Sequence, residues 1–236
     1  QDAMIAWRPF APADELCIAF GSCQYPGGML DNPLAYDAWR SLGEQLSDKG
    51  GALKPDMLLL MGDLVYVDAT AGLFDPESVE ERYEWPYRKL YANPHVRKVL
   101  RQLPAHCMLD DHEIDDNWQP LESSHPRFER NAERARLGVD SYLKYQRGIH
   151  PEKWRKSRNG TAQLWYDFEH KGFRFFMFDT RTDRTQRNAR NIDNDRTTLI
   201  SQEQLDAFKK WLSRCDVNTP AFVVSPSILF PRHLVA

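Results

Sequence analysis

The chain has 236 residues, 42% of them hydrophobic and 28% charged, which supplies a substantial core and argues against overall disorder. Its 31 Lys and Arg are outnumbered by 34 Asp and Glu, so a formal charge of −3 offers no basic field for a polyanion and excludes bulk nucleic-acid binding. The longest apolar runs, such as 57–61, are strand-sized, well short of the roughly 18 residues that a membrane span requires.

The sequence starts at Gln1 with no basic and apolar leader before Trp7, and stops at Ala236 soon after an apolar stretch at 221–224. The expectation is a processed product or a piece of a longer chain, with residues 1–15 as a lead-in and 16–236 as one domain incomplete at its C-terminus. Four cysteines do not make a disulfide framework, and Cys17, Cys107 and Cys215 lie in or beside apolar segments as small hydrophobes.

In chain order, residues 16–20 read as a strand followed by the turn Gly21-Ser22-Cys23-Gln24 and a Gly/Pro/Asn-rich loop to Pro33. From Leu34, the stripe Ala38, Leu42 and Leu46 with Trp39 beside it predicts a helix ending at Gly50-Gly51. Residues 57–61 form a continuous apolar run, suited to a strand buried on both faces of a parallel sheet, and end in Gly62-Asp63. Residues 83–103 carry helical spacing interrupted at Pro86 and Pro94. A third buried strand at 105–109 runs into Asp110-Asp111-His112-Glu113, and a charged helix follows at 127–145. Residues 163–169 and 173–179 flank His170-Lys171-Gly172 as a hairpin. The segment 180–198 is almost wholly polar, with five arginines, and is expected to be an exposed loop or lid. Ser201 caps a helix to about Ser213, and 221–224 is a further buried strand.

Three strands therefore deliver polar residues at their C-terminal ends, where open α/β sheets bind ligands. Cys23, Asp63, Tyr66, Asp110, Asp111, His112, Asp115, Asp116 and Asn117 all fall just past them. So many carboxylates at one sheet edge cost electrostatic energy unless a cation or proton neutralises them, which points to a metal site. A thiolate and a phenolate favour a trivalent or borderline transition ion, while carboxylate and amide oxygens suit a hard divalent ion, and Asp63 could serve both.

Gly-Ser-Cys-Gln after the first strand, Gly62-Asp63-x-x-Tyr66 after the second, Asp110-Asp111-His112-Glu113 with Asn117-Trp118 after the third, then Phe178-Asp179-Thr180-Arg181 with Arg184, together resemble the alkaline phosphatase D (PhoD)-like branch of the calcineurin-like metallophosphoesterases. The resemblance covers roughly residues 16–231. It implies an α/β fold, a four-layer β sandwich flanked by helices, and a binuclear centre at which activated water hydrolyses phosphate monoesters and diesters. Carried over, the implied metal ligands are Cys23, Asp63, Tyr66 and Asn117, with Asp111 as a further candidate in a slot where the wider superfamily has asparagine. The implied ions are iron and calcium, with zinc, manganese or magnesium as alternatives. His112 aligns with a histidine beside the leaving group, and Arg181 and Arg184 are candidate phosphate contacts. The family completes its centre with a downstream Gly-Asp-x-His segment, and no such segment precedes Ala236.

Each residue also has a plainer reading. Cys23 could be a buried thiol, Tyr66 a packing aromatic, His112 a residue that only orients a ligand, and the arginines solvated charges. A catalytically silent binding or structural module is the rival to a phosphoesterase. The substrate class expected of the enzyme is a small phosphoester or phosphodiester.

Overall fold

A computed structural model describes residues 15–25, 32–48, 54–68, 79–149, 151, 163–186 and 198–228. The lead-in before residue 15, the glycine-rich loop 26–31, the Gly50-Gly51 breaker, residues 187–197 of the arginine-rich segment and the stretch beyond 228 lie outside them.

Two three-stranded sheets form the centre. The first contains β1 (Ile18–Gly21), β2 (Met57–Met61) and β3 (Ala105–Met108), in the order β1-β2-β3 and all parallel. The second contains β4 (Tyr166–His170), β5 (Phe173–Met177) and β6 (Ala221–Val224), with β4 antiparallel and β6 parallel to β5. The period of two along a strand separates their faces. Met57 and Leu59 of β2 pack with Met108, Phe173, Phe175, Met177 and Val224 between the sheets. Leu58 and Leu60 point the other way, into a core shared with four helices.

Those helices are α2 (Asp37–Ser47), α3 (Val79–Ala92), α4 (Pro94–Leu100) and α5 (Phe128–Tyr145), preceded by the single turn α1 (Asn32–Ala35). On the far side, Phe176 and Phe178 pack against Trp211 of α6 (Gln202–Leu212). The result is four layers, helices on sheet on sheet on helix, as expected. It explains why β2 reads as an unbroken apolar run: both its faces are covered.

Four local expectations need correction. Pro86 does not interrupt α3 but lies inside it. A proline within a helix costs about 3 kcal/mol, whereas burying Tyr83, Tyr87 and Leu90 on either side of it contributes roughly 1.5–3 kcal/mol each. Pro94, by contrast, does mark a break, opening α4 behind the Asn93 cap. In α2, Ala38 is exposed and the buried face centres on Trp39 and Gly43, because the Trp39 indole donates to Gln24 Oε1 at 2.7 Å and fixes the helix rotation. Strand β6 is only half covered, with Val224 buried and Val223 42% exposed, since its far side has no neighbour among the described strands. The arginine-rich segment begins as core rather than as a surface loop: Thr180 is fully buried and Asp179 nearly so.

Candidate metal centre

The carboxyl ends of β1, β2 and β3 lie at one edge of the first sheet, and the turns leaving them are stitched together. Cys23 N–H donates to Gly62 O at 3.3 Å and Gln24 N–H to Asp63 O at 2.8 Å. Gly62 has φ +89°, and a Cβ there would stand 2.5 Å from Asp110 Cβ, so only glycine lets the second and third turns approach this closely. Cys23, Asp63 and Asn117 all adopt left-handed backbone, with φ of 57°, 54° and 52°. Non-glycine residues rarely do so, and such strain collects at functional sites.

Beneath the turns sits Glu113, fully buried. Its carboxylate accepts the backbone N–H of Leu64 at 2.7 Å, Asp110 at 3.0 Å and Asp63 at 3.1 Å, and the Gln146 amide at 3.1 Å. Burial pushes the Glu113 carboxyl up to about 7, against the pull of those donors. Glu113 carries no assigned role in the motif read from the sequence. Its signal was its place three residues after Asp110, where a carboxylate can reach back to a turn it has just left.

The central group is Asp63, Asp110 and Asp111, all buried, with carboxylate oxygens lying within 4.8 Å of one another. Burial and then the neighbouring Asp111 raise Asp63, and burial raises Asp110 to about 6 despite the Arg181 guanidinium. Arg181 donates from Nε to Asp110 Oδ1 at 2.6 Å, pairs with Asp111 Oδ1 at 3.1 Å and donates to Trp118 O at 3.2 Å. Its loop is held by Asp179, which accepts the backbone N–H of Arg181 and Thr182 and the Thr182 hydroxyl. Gln204 of α6 in turn brackets Asp179, accepting its N–H and donating to its carbonyl, both at 2.9 Å.

Cys23 Sγ lies 3.4 Å from Asp63 Oδ2. The Tyr66 phenol is raised well above its ordinary value by burial and by its hydrogen bond with Cys23. Its ring lies 4.0 Å from that of His112. His112 Nδ1 is 2.8 Å from Asp68 Oδ2, and its backbone N–H reaches Asp63 Oδ1 at 3.4 Å. Burial opposes the imidazolium, but Asp68, then Asp63 and Asp111, outweigh it and raise the His112 pKa. Asp68, His112 and Asp116 form a second potential ligand group, of which sequence reasoning had omitted Asp68.

The structure thus brings Cys23, Asp63, Tyr66, Asp111, His112 and Arg181 to one sheet edge. Asn117 joins by its backbone, whose N–H donates to Asp111 Oδ2 at 2.6 Å, while its exposed side-chain amide donates to Asp116 at 2.9 Å. Arg184 is directed elsewhere, donating to Thr180 O at 2.7 Å and to Ser227 Oγ at 3.4 Å. Asp115 pairs with Arg134 of α5. No helix among the described residues is long and apolar enough to cross a membrane.

Three buried carboxylates against one guanidinium form a donor set suited to cations. Fold and site together define an α/β sandwich protein with a carboxylate-rich candidate metal centre. The sequence pattern of PhoD-like phosphatases matches residues 18–225, and the chain belongs to that family. A solved structure titled "Structure of PhoD" shares the fold with a TM-score of 0.59 at 18% identity, over 87% of this chain. This chain spans 40% of that one. No curated protein matches.

Proposed function

We propose that the chain carries the chemistry of a phosphoric ester hydrolase acting on phosphate monoesters or diesters at a two-ion centre. The observation that carries this reading is the convergence of the Asp63, Asp110 and Asp111 carboxylates within 4.8 Å. In this proposal Cys23, Asp63, Tyr66 and Asp111 would hold the ions, and Asp110 is added to the set. Asn117 serves by its backbone grip on Asp111 or by turning its amide from Asp116. A thiol, a phenol and a carboxylate suit iron, and carboxylates suit calcium, with zinc, manganese or magnesium as alternatives.

Bound cations would supply polarisation of phosphate oxygens and a more acidic water. The chain's own residues do the rest. Asp68 holds His112 at Nδ1, which keeps a proton on the imidazole and leaves Nε2 as the group for a departing alkoxide. Tyr66 lies against that ring, tilted by 30° with the centroids 4.0 Å apart. Arg181 reaches the site with a planar guanidinium suited to phosphate oxygens, its loop fixed by Asp179 and Gln204. Arg184 supports the same loop through Thr180 O.

A second reading is a catalytically silent module, and one observation favours it: Arg181 bridges Asp110 and Asp111 and so partly neutralises the group without a cation. Asp63→Asn separates the two. It should abolish phosphodiester hydrolysis while leaving the circular dichroism unchanged, whereas a wild type inactive with every supplied cation would support the silent module.

A further inference from the structure

The Arg181 guanidinium stands where a cation would have to compete with it. Its Nε donates to Asp110 Oδ1 at 2.6 Å, and its Nη2 lies 3.1 Å from Asp111 Oδ1. Only 11% of the Arg181 side chain is exposed, with 13% and 10% of those of Asp110 and Asp111, so solvent and salt screen these pairs little. One guanidinium against the carboxylates of Asp63, Asp110 and Asp111 leaves the group net negative. The backbone under Arg181 is fixed by other residues. Asp179 accepts the Arg181 N–H at 3.0 Å and the Thr182 N–H at 2.9 Å, and the fully buried Gln204 clasps Asp179 at its N–H and its carbonyl. At the other end of the turn, Asp183 accepts the Ser201 N–H at 3.0 Å and the Gln204 amide at 2.7 Å, which ties the loop to the start of α6.

We propose that Arg181 is an exchangeable counter-ion: it gives up Asp110 and Asp111 for an oxyanion only when a divalent cation takes those carboxylates, which makes oxyanion binding conditional on cation binding. The inference rests on the phosphoesterase reading above and adds an order of events to it. Two positive groups that need the same carboxylate oxygens repel each other and compete for them. Withdrawing the guanidinium with nothing in exchange would leave buried carboxylates unpaired, which is strongly unfavourable. A cation removes that penalty. Because Asp179 and Gln204 hold the loop, the side chain turns about its own bonds while its backbone stays at the sheet edge, and its planar fork is kept for an oxyanion bound there. By linkage, cation and oxyanion then strengthen each other's binding by the same factor. A guanidinium that only oriented the carboxylates as ligands would act in the opposite sense, since its removal would loosen them and weaken the cation.

The test is titration calorimetry of the purified chain with Ca²⁺, alone and with methylphosphonate, an oxyanion that carries no ester bond to hydrolyse. Arg181→Gln should bind Ca²⁺ about tenfold more tightly than the wild type, and Arg181→Lys, which keeps the charge without the fork, should fall between them. In the wild type, methylphosphonate should tighten Ca²⁺ binding, and in Arg181→Gln that gain should shrink. Weaker or unchanged Ca²⁺ binding in Arg181→Gln, with the circular dichroism of the wild type, would overturn the exchange, as would a wild type that takes up no Ca²⁺. A second readout needs no variant to fold: the Arg181 Nε–H resonance of the wild type, protected by its bond to Asp110, should shift and exchange faster with solvent as Ca²⁺ saturates. Unaltered position and protection at saturation would also overturn it. Exchange without turnover of any phosphoester sinks the phosphoesterase reading and leaves the exchange standing, while turnover with equal Ca²⁺ affinity in wild type and Arg181→Gln does the reverse.

Discussion

Glu113 and Asp63, fifty residues apart, meet where the Glu113 carboxylate accepts the Asp63 backbone N–H at 3.1 Å. The same carboxylate takes the N–H groups of Leu64 and Asp110, so one buried side chain sets the distance between the turns that carry two of the three central aspartates. Glu113→Ala orphans three N–H groups, each costing ~1–3 kcal/mol when buried and unpaired. Denaturant unfolding should show a loss of at least about 3 kcal/mol, with Glu113→Gln falling between it and the wild type because one acceptor oxygen survives.

Gly62→Ala should act on the same junction. Its Cβ would overlap Asp110 Cβ, at 2.5 Å, in a backbone conformation with φ +89°. Strain of this kind costs roughly 1–3 kcal/mol. The midpoint of thermal unfolding should fall, and any cation affinity should fall with it, because Asp110 has to move.

Asp68→Asn removes the charge that raises the His112 pKa. In the proposed mechanism, turnover of alkyl phosphoesters should drop by about 10²-fold, as expected for loss of general acid help, and that of nitrophenyl esters by less. The protonated imidazole is then lost at lower pH, so the basic limb of the rate profile should move to lower pH. Equal losses on both esters would remove His112 from the leaving-group role.

His106 supplies a pH test away from the centre. It stacks on Phe168 at 3.5 Å, and burial pushes its pKa down from 6.5 to about 4. The unfolded chain therefore binds this proton more readily than the folded one, so the protein loses stability as pH falls from about 6.5 to about 4, by roughly 3 kcal/mol in all. His106→Phe keeps the stacking and should flatten that loss. Unfolding free energies measured from pH 7 to pH 4 check it.

Much of the fold was legible in the sequence because its signals are local. The run 57–61 has the period and length of a doubly covered strand, and Ser201, three residues before Gln204, carries its own cap. What failed locally was decided by packing. Pro86 stays in α3 because its buried neighbours outweigh the lost hydrogen bond, and Thr180 is buried because Asp179 is clasped by Gln204, a residue of a later helix. At the candidate site, residue types and order gave Cys23, Asp63, Tyr66, Asp111 and His112 as a set. Spacing along the chain could not show that Glu113 braces them from below or that Asp68 returns to His112 from 44 residues away. Nor could it show which way a side chain turns: Arg181 and Arg184 look alike in sequence, yet one pairs with Asp110 and the other with Thr180 and Ser227.

The most direct test of the metal centre is cation uptake by the purified chain, measured by titration calorimetry with Mn²⁺ and Ca²⁺ and by metal content after dialysis, in wild type and Asp63→Asn. We expect saturable binding in the wild type at pH 7.5, weakening as pH falls through about 6 where Asp110 takes up a proton. Binding should vanish in Asp63→Asn with the fold intact. Equal uptake by the two proteins, or none by the wild type with any cation supplied, would contradict the assignment of Asp63, Asp110 and Asp111 as its ligands.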